Sequence, residues 1–211
     1  VGARAPRVYY GAHNVVRTTQ PLGVQMHGGA GSSGFIASRD EPRYAHQYPT
    51  LFISMSETTK PGQYGFGLSL IEQSSYGLRD KGNDWTGHSV YMWAIANAVY
   101  MAMMGPEGFR EVGEQILQKA RYAARLIAGI PGLRVVFREG SFKEFVVNFD
   151  ATGHSVAHIN AALLAQGIFG GKDLTADFPE LGASALFCVT EIHSAADIER
   201  LATALQKAIA S

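Results

Sequence analysis

The longest apolar stretch of the chain, Val90–Met104, constrains what the chain can fold into more than any other segment. Its sequence, VYMWAIANAVYMAMM, is apolar around the whole circumference of a helix, and Asn97 is its one amide. The stretch is shorter than the about 20 residues that a membrane span needs, so we expect no membrane association. Helices of this kind lie inside a protein or an interface. The sequence therefore predicts a helix buried on nearly all faces, with a partner subunit covering what its own chain leaves open.

The composition is that of a globular chain whose surface carries little charge. Charged residues make up 17% of the 211 residues, and lysine plus arginine balance aspartate plus glutamate at 18 each. This balance lacks the basic excess of a nucleic-acid-binding protein, so we expect no nucleic-acid partner. Surfaces of this kind tend to associate with other chains. The single cysteine, Cys188, excludes an internal disulfide framework and fits a reducing compartment, so we expect a cytoplasmic location.

Composition shifts and helix-stopping residues divide the chain into three predicted parts. Residues 1–87 combine glycine-rich segments with strands, residues 88–130 hold two helices, and residues 131–211 form a small α/β domain. Gly105-Pro106 ends the first helix and starts the second, because glycine terminates helices and proline is favoured in their first turn. Residues 1–72 contain strands with only a brief helical turn to cover them. We therefore expect the isolated chain to be unstable or not monomeric.

Two local patterns in the first part predict strands. An apolar segment at Gly34–Ser38 follows a glycine-rich loop, and two further strands flank the turn Lys60-Pro61-Gly62-Gln63. The segment RDKGNDWTGH, which precedes the apolar helix, is predicted to be a polar linker.

The sequence of the last part, residues 131–211, predicts a mainly antiparallel sheet with the two helices of this part on one face. Leu133–Phe137 and Phe145–Phe149 are close enough in sequence to form a hairpin, and Ala185–Ile192 would add beside them. Ser194 is the expected N-cap of the final helix. Cys188 lies inside an apolar strand, so we expect it to be buried and unreactive.

The glycine-rich loop matches a dinucleotide-binding pattern by letter only. Gly29–Gly34 reads G-x-G-x-x-G, but a dinucleotide site needs a strand before the loop and a helix opening at it. Here the loop leads into the strand FIAS, so we do not assign a Rossmann site. The free backbone N–H groups of such a loop can still meet a phosphate or a partner's backbone.

Two other groupings of polar residues are better explained as helix starts. His154 and His158 stand four apart, without a third metal ligand or a glutamate between them. Asp84, Thr86, His88 and Ser89 are too close in sequence for the geometry of a catalytic triad, and capping of the helix by Thr86 or Asp84 explains them better. Residues alone thus predict an α/β chain that associates with other chains and lacks a complete catalytic constellation.

Four segments, in order along the chain, carry a resemblance to a known family. They are QPLGVQMHGGAGSSGFIASRD, MMGPEGFREVGEQILQKARYAARL, FKEFVVNF and GIFGGKDLTADFPELGASALFCVTEIHSAADIERL. Together they resemble the glycine cleavage system P-protein, specifically subunit 1 of the two-subunit glycine dehydrogenase (decarboxylating), over about residues 17–211.

The resemblance implies an α/β fold of the type I pyridoxal-phosphate-dependent transferase class. This chain would supply the end of the large domain and the whole C-terminal small domain, and the missing N-terminal half would be a partner. The implied family reaction decarboxylates glycine and passes the aminomethyl group to lipoyl H-protein, with the cofactor as electron sink. The implied assembly is a hetero-oligomer with a catalytic P-protein subunit.

The same resemblance gives expectations for the site. In the family's cofactor-binding subunit a His-Lys pair precedes a His-Gly-Gly-Gly-Gly stretch, and that lysine forms the Schiff base. Alignment on His27-Gly28-Gly29 puts Gln20 and Pro21 at the pair, and no lysine occurs before Lys60. The resemblance therefore implies that the partner subunit, and not this chain, binds pyridoxal phosphate covalently. Gln20, His27, Gly28 and Gly29 are the candidate residues lining a cleft that faces it.

Three alternatives to that function stay open on the sequence. The chain could be a structural or regulatory pseudo-subunit without turnover of its own. It could be a paralogue acting on another amino acid, because the segment RDKGNDWTGHSVYMW departs from the family's usual turn. A different pyridoxal-phosphate enzyme is the third alternative, and the lack of a local lysine argues against it.

Overall fold

A computed structural model describes residues 11–23, 33–49, 52–83, 91–137 and 140–210. The chain divides into two compact units at Gly105/Pro106. The sequence-based division at 87/88 and 130/131 stays a prediction. No helix of the described ranges is both long enough and apolar enough to cross a membrane.

The described part of the first unit consists of two hairpins, two short helices and half of a long helix. Its elements are β1 Asn14–Thr18, β2 Gly34–Ser38, α1 Pro42–Ala45, β3 Phe52–Glu57, β4 Tyr64–Ser69, α2 Ser75–Leu78 and the start of α3, Tyr91–Ala128. Strand β1 pairs antiparallel with β2, and β3 pairs antiparallel with β4. The predicted strand at Gly34–Ser38 and the turn at residues 60–63 are confirmed, and the N–H of Gln63 donates to the carbonyl of Lys60 at 3.1 Å.

The segment before the long helix folds back on itself where a linker was expected. Single-turn helices at Ile71–Gln73 and Arg79–Lys81 flank α2. The N–H of Asn83 donates to the Gln73 carbonyl at 2.7 Å, and the buried Gln73 amide donates to the Tyr48 carbonyl at 3.0 Å. The linker prediction was wrong over residues 79–83, because backbone hydrogen bonds satisfy this polar segment internally. The rest of the predicted linker, residues 84–88, lies outside the described residues.

The first unit buries no apolar side chain among its described residues. Its buried side chains are all polar: Thr19, Ser33, Gln73, Ser74 and Asn97. Large apolar side chains are exposed on one face of the β3–β4 hairpin instead, which we call the hairpin face and which consists of Ile53, Met55, Phe66 and Leu68. Strand pairing sets Ile53 opposite Leu68 and Met55 opposite Phe66, so these four side chains share one side of the sheet.

The long helix changes direction at the residue pair that the sequence marked. Gly105 has a φ of 59° and a ψ of 178°, outside the helical region, and Pro106 follows it. The prediction of two helices separated here is confirmed. The predicted burial of the first helix is not met within this chain, because Met103 is 83% and Met92 is 73% exposed. Its cover by a partner subunit stays a prediction.

The second unit holds the hydrophobic core. Its elements after α3 are β5 Arg134–Val135, β6 Glu144–Asn148, α4 Val156–Leu164, β7 Lys172–Asp173, β8 Ser184–Cys188 and α5 Ala195–Ile209. The strands form one antiparallel sheet in the order β5-β6-β8-β7, as the sequence predicted apart from the short β7.

One face of this sheet carries the core. Phe145 pairs with Phe187 and Val147 with Ala185, so the four side chains lie on the same face and are buried. Residues of α4, α5 and the second half of α3 pack against them. Both helices therefore lie on one face, as predicted. Ser194 caps α5 in a capping box with Asp197, which confirms the predicted cap.

The prediction that Cys188 is buried was wrong, because the residue is exposed. It ends β8 opposite Glu144, on the face away from the core, so an apolar strand does not bury every residue. Partial desolvation nevertheless raises the pKa of the Cys188 thiol. The positive charge of Lys143 lowers this pKa, and the negative charge of Glu144 raises it.

Removing a core side chain should cost far more stability than removing the same side chain from the surface. Leu205 is fully buried, whereas Leu164 is 57% exposed. Leu205→Ala should lower the free energy of unfolding by about 2–5 kcal/mol, and Leu164→Ala by less than about 0.5 kcal/mol. Chemical denaturation followed by circular dichroism measures both. Equal losses in the two variants would contradict this description of the core.

The Cys188 thiol should react slowly at neutral pH and faster as the pH rises, because its raised pKa keeps the nucleophilic thiolate scarce. Lys143→Gln should slow labelling, because it removes the charge that lowers the pKa. Glu144→Gln should speed it by the opposite effect. Exposed charge pairs of this strength change rates about 1.5- to 5-fold. A disulfide reagent followed by absorbance measures the rates, and shifts of the same sign in both variants would count against this account.

Candidate functional site

The candidate site begins at the narrow end of the β1–β2 hairpin. Its two strands meet at Thr18 and Gly34, and the glycine-rich segment connects them. The N–H of Thr19 donates to the Ser33 carbonyl at 3.1 Å, and the two buried hydroxyl groups of Thr19 and Ser33 share a hydrogen bond. These contacts fix both ends of the segment that the resemblance placed at the cofactor. The strand after the loop also confirms that no helix opens at Gly34.

A close approach at Gly23 fixes the first turn of that segment. Gly23 has a φ of +84°, and a Cβ added to it would lie 2.5 Å from the Tyr100 ring on α3. Both the backbone conformation and the lack of space require glycine. The N–H of Leu22 also donates to the Thr19 carbonyl at 2.8 Å. The turn at residues 19–23 is thus held between the hairpin and the helix.

Two of the sequence-predicted positions lie on this turn. Gln20 is half-buried, and its N–H donates to the Thr18 hydroxyl at 3.2 Å. Pro21 is exposed. His27, Gly28 and Gly29 lie outside the described residues. Of the predicted cleft residues, the structure therefore places Gln20 alone, as a half-buried amide beside the hydroxyl groups of the hairpin end.

Asn97 is a candidate residue that the sequence analysis did not assign. It is 3% exposed, and neither its amide nitrogen nor its amide oxygen has a hydrogen-bond partner among the described residues. It precedes Tyr100 by three residues on α3, so the two lie on neighbouring positions of one helix face. An unsatisfied buried amide costs about 1–3 kcal/mol. In the sequence, the signal that could have identified Asn97 was its position as one amide in the middle of an otherwise apolar stretch.

The described lysines do not fit a covalent pyridoxal-phosphate site. The hairpin that bears the glycine-rich segment contains none, since the first lysine is Lys60. Lys60, Lys81, Lys172 and Lys207 are exposed. Lys119 and Lys143 are half-buried. Lys119 donates to the Glu191 carbonyl, and the Lys143 ammonium lies 4.0 Å from a Glu144 oxygen. We therefore derive no catalytic step through a cofactor bound covalently to this chain.

The remaining sequence motifs do not assemble a site among the described residues. The rings of His154 and His158 stack with centroids 4.5 Å apart, while Ser155 caps α4 by accepting from the N–H of His158 at 3.2 Å. No group of three metal-ligating side chains occurs in the described parts of the chain. The cluster of Asp84, His88 and Ser89 lies outside the described residues.

The fold belongs to the type I class of pyridoxal-phosphate-dependent enzymes. The solved structure of a sphingosine-1-phosphate lyase from Burkholderia pseudomallei superposes with a TM-score of 0.60 at 22% sequence identity. The match covers 95% of this chain and 38% of the lyase chain, and it shows the fold alone. The crystal structure of a glycine decarboxylase (P-protein) of the glycine cleavage system, in inhibitor-bound form, matches more fully. This match covers 98% of this chain and 46% of the P-protein chain, with a TM-score of 0.80 at 28% sequence identity.

The family model for the glycine cleavage system P-protein matches residues 4–205, and the chain belongs to this family. The probable glycine dehydrogenase (decarboxylating) subunit 1 of Desulforamulus reducens is 35% identical over 195 residues, which are 92% of this chain. The protein of the same name from Desulfitobacterium hafniense is 33% identical over 191 residues, or 90% of this chain. The chain spans 42% of the length of each of these relatives.

Substitution of Gly23 should disturb the turn more than substitution of a glycine with the same backbone conformation in open space. Gly11 has a φ of +73° and no described neighbour within 4 Å of an added Cβ. Both alanine variants incur the strain of a left-handed backbone, about 1–2 kcal/mol. Gly23→Ala must also displace Tyr100, which adds about 1–3 kcal/mol. Thermal unfolding compares them, and equal melting temperatures would refute the proposed packing of the turn.

Proposed function

We propose that this chain is the half of a glycine dehydrogenase (decarboxylating)-like enzyme that lacks the Schiff-base lysine and acts together with a catalytic subunit. The observation that carries this proposal is the similarity to P-protein subunit 1 over nearly the whole chain. In this function glycine is the substrate, and lipoyl H-protein accepts the aminomethyl group. The isolated chain is inactive, and the complex works in the cytoplasm.

The cofactor of this enzyme is pyridoxal phosphate, held covalently by the partner subunit. When bound there, it supplies an electron sink for decarboxylation. The absence of any lysine from the sequence before Lys60 supports this assignment. On this chain, Gln20 and the glycine-rich segment with His27, Gly28 and Gly29 line the cleft that faces the cofactor. Their contribution is positioning through amide and backbone N–H donors, without covalent attachment.

The missing N-terminal half is a partner as well, because the first unit is incomplete by itself. Contiguous exposed apolar surface marks sites of contact with another protein. The hairpin face supplies such a surface, with Phe66 76% and Ile53 74% exposed. The exposed first half of α3 adds Met92 and Met103. The polypeptide that completes the large domain covers these residues.

A second candidate function is that of a structural pseudo-subunit. The observation that favours it is the lack of a lysine in the glycine-rich hairpin, since such a chain could stabilise a partner without contributing to turnover. Reconstitution distinguishes the two functions, because the pseudo-subunit leaves the rate of the partner unchanged.

The function is tested by reconstitution and by mapping the cofactor. The chain, the N-terminal half and the catalytic subunit together should release carbon dioxide from carboxyl-labelled glycine when lipoyl H-protein is present. Omission of this chain should abolish release. Borohydride reduction with pyridoxal phosphate should place the pyridoxyl group on a lysine of the catalytic subunit. A single stoichiometric pyridoxyl-lysine on this chain would overturn the cofactor assignment, and unchanged turnover without the chain would favour the pseudo-subunit.

A charge on the hairpin face should prevent assembly with the N-terminal half. Phe66→Asp would bury a carboxylate in an apolar contact, at a cost of several kcal/mol, and should abolish co-purification. Lys60→Asp is the matched control, because it introduces the same side chain into the exposed turn of the same hairpin. Size-exclusion chromatography of the co-expressed chains measures the complex. Full assembly of the Phe66→Asp variant would show that the hairpin face is not this interface.

A further inference from the structure

A cleft in the second unit lies outside the candidate site and carries an unusual concentration of positive charge. It has a volume of about 1110 Å³ and runs between the second half of α3 and strand β5. Arg121 and Arg125 line it from the helix, and Arg134 lines it from β5. The described lining includes no carboxylate. All three arginines are exposed, so their charges are open to an anionic ligand that enters the cleft.

Two carboxylates elsewhere in the second unit are engaged in hydrogen bonds of their own. The Asp150 oxygens accept from the Asn148 amide and the Ala183 N–H, each at 2.8 Å, and these hydrogen bonds lower the pKa of Asp150 more than the charge of Arg134 does. Glu199, on the helix side, accepts from the Tyr122 hydroxyl at 2.7 Å. None of the three cleft arginines forms an ion pair with another described residue. Arg110 on the same helix differs, because it pairs with Glu107 at 2.7 Å and Glu114 at 2.9 Å.

The spacing of the arginines selects among anionic ligands. Arg121 and Arg125 are four residues apart on one helix, so their Cα atoms are separated by about 6 Å along its axis. Carboxylates on alternate residues of an extended chain repeat at about 6.7 Å on one face. The phosphorus atoms of a small polyphosphate lie closer together than this. The helix side of the cleft therefore matches a row of carboxylates on an extended polypeptide.

The opposite wall of the cleft can hold such a polypeptide through its backbone. Strand β5 is at the edge of its sheet, and no described strand pairs with its other side. The Val136 N–H donates to the Val146 carbonyl at 2.9 Å, so Val135 and Phe137 direct their backbone groups away from the sheet. Both residues line the cleft, and Phe137 is 55% exposed. An exposed edge strand can pair with an extended segment of another polypeptide, and a neighbouring exposed aromatic ring can contact the side chains of that segment.

We infer that this cleft binds an extended acidic segment of a partner protein, added as a strand beside β5 with alternate carboxylates on Arg121 and Arg125. The paired geometry of guanidinium and carboxylate favours arginine at both positions. This inference does not depend on glycine chemistry, so it can fail or hold independently of the proposed function.

Binding is tested on the full 211-residue chain with fluorescein-labelled peptides of defined pattern. The probe is a six-residue peptide alternating glutamate and threonine, and the controls are its glutamine counterpart and a peptide with the three glutamates in one block. Fluorescence anisotropy should show saturable binding of the alternating peptide, at least tenfold weaker binding of both controls, and weakening from 50 to 200 mM salt.

Variants assign the binding to the cleft. Arg121→Gln/Arg125→Gln should weaken binding at least tenfold, and Arg121→Lys/Arg125→Lys should retain it only in part. Arg110→Gln, on the same helix, should change binding less than twofold. Unchanged far-UV circular dichroism establishes that each variant is folded.

Three outcomes would overturn the inference. They are no saturable binding of the alternating peptide, equal loss in the Arg110→Gln variant, and tighter cleft-dependent binding of inorganic tripolyphosphate or citrate than of the peptide. The last outcome would define a small-anion site instead.

Discussion

The packing of three helical segments against one face of the four-stranded antiparallel sheet is the constraint on which the structure depends. Phe145, Val147, Ala185 and Phe187 form that face, and every buried apolar side chain among the described residues belongs to the second unit. Because hydrophobic burial is the main favourable term in folding, the stability of the described chain resides largely there. On the opposite face of the same sheet Val146, Asn148 and Ser184 are buried as well, whereas Cys188 is exposed at the end of β8.

The first unit depends on a different kind of interaction. Its buried groups are hydroxyl and amide side chains, joined to each other and to backbone carbonyls, as between Thr19 and Ser33 or from Gln73 to Tyr48. Hydrogen bonds exchange partners with water and contribute only about 1 kcal/mol each. They determine the geometry of the glycine-rich turn without supplying a core. The candidate site thus belongs to the part of the chain whose described residues bury no apolar side chain.

Local signals made much of the fold predictable. The Gly105-Pro106 break, the turn at residues 60–63 and the Ser194 cap each depend on a few neighbouring residues, and all three are confirmed. Burial was not predictable in the same way, because it depends on which faces other elements cover. The same limit applies to the site. Gln20 was found by resemblance, whereas the unsatisfied amide of Asn97 is visible only once the helix is packed.

The hydrophobic core lies in the second unit, and the described residues of the first unit bury no apolar side chain. This difference has a consequence for biosynthesis. Residues 11–105 leave the ribosome before the segment that can bury apolar surface on its own. At about 5–20 residues per second, roughly 5–20 s pass before the second unit has been synthesised. During that interval the exposed apolar side chains of the hairpin face can bind chaperones. The first hydrophobic core of the described chain therefore forms late in its synthesis.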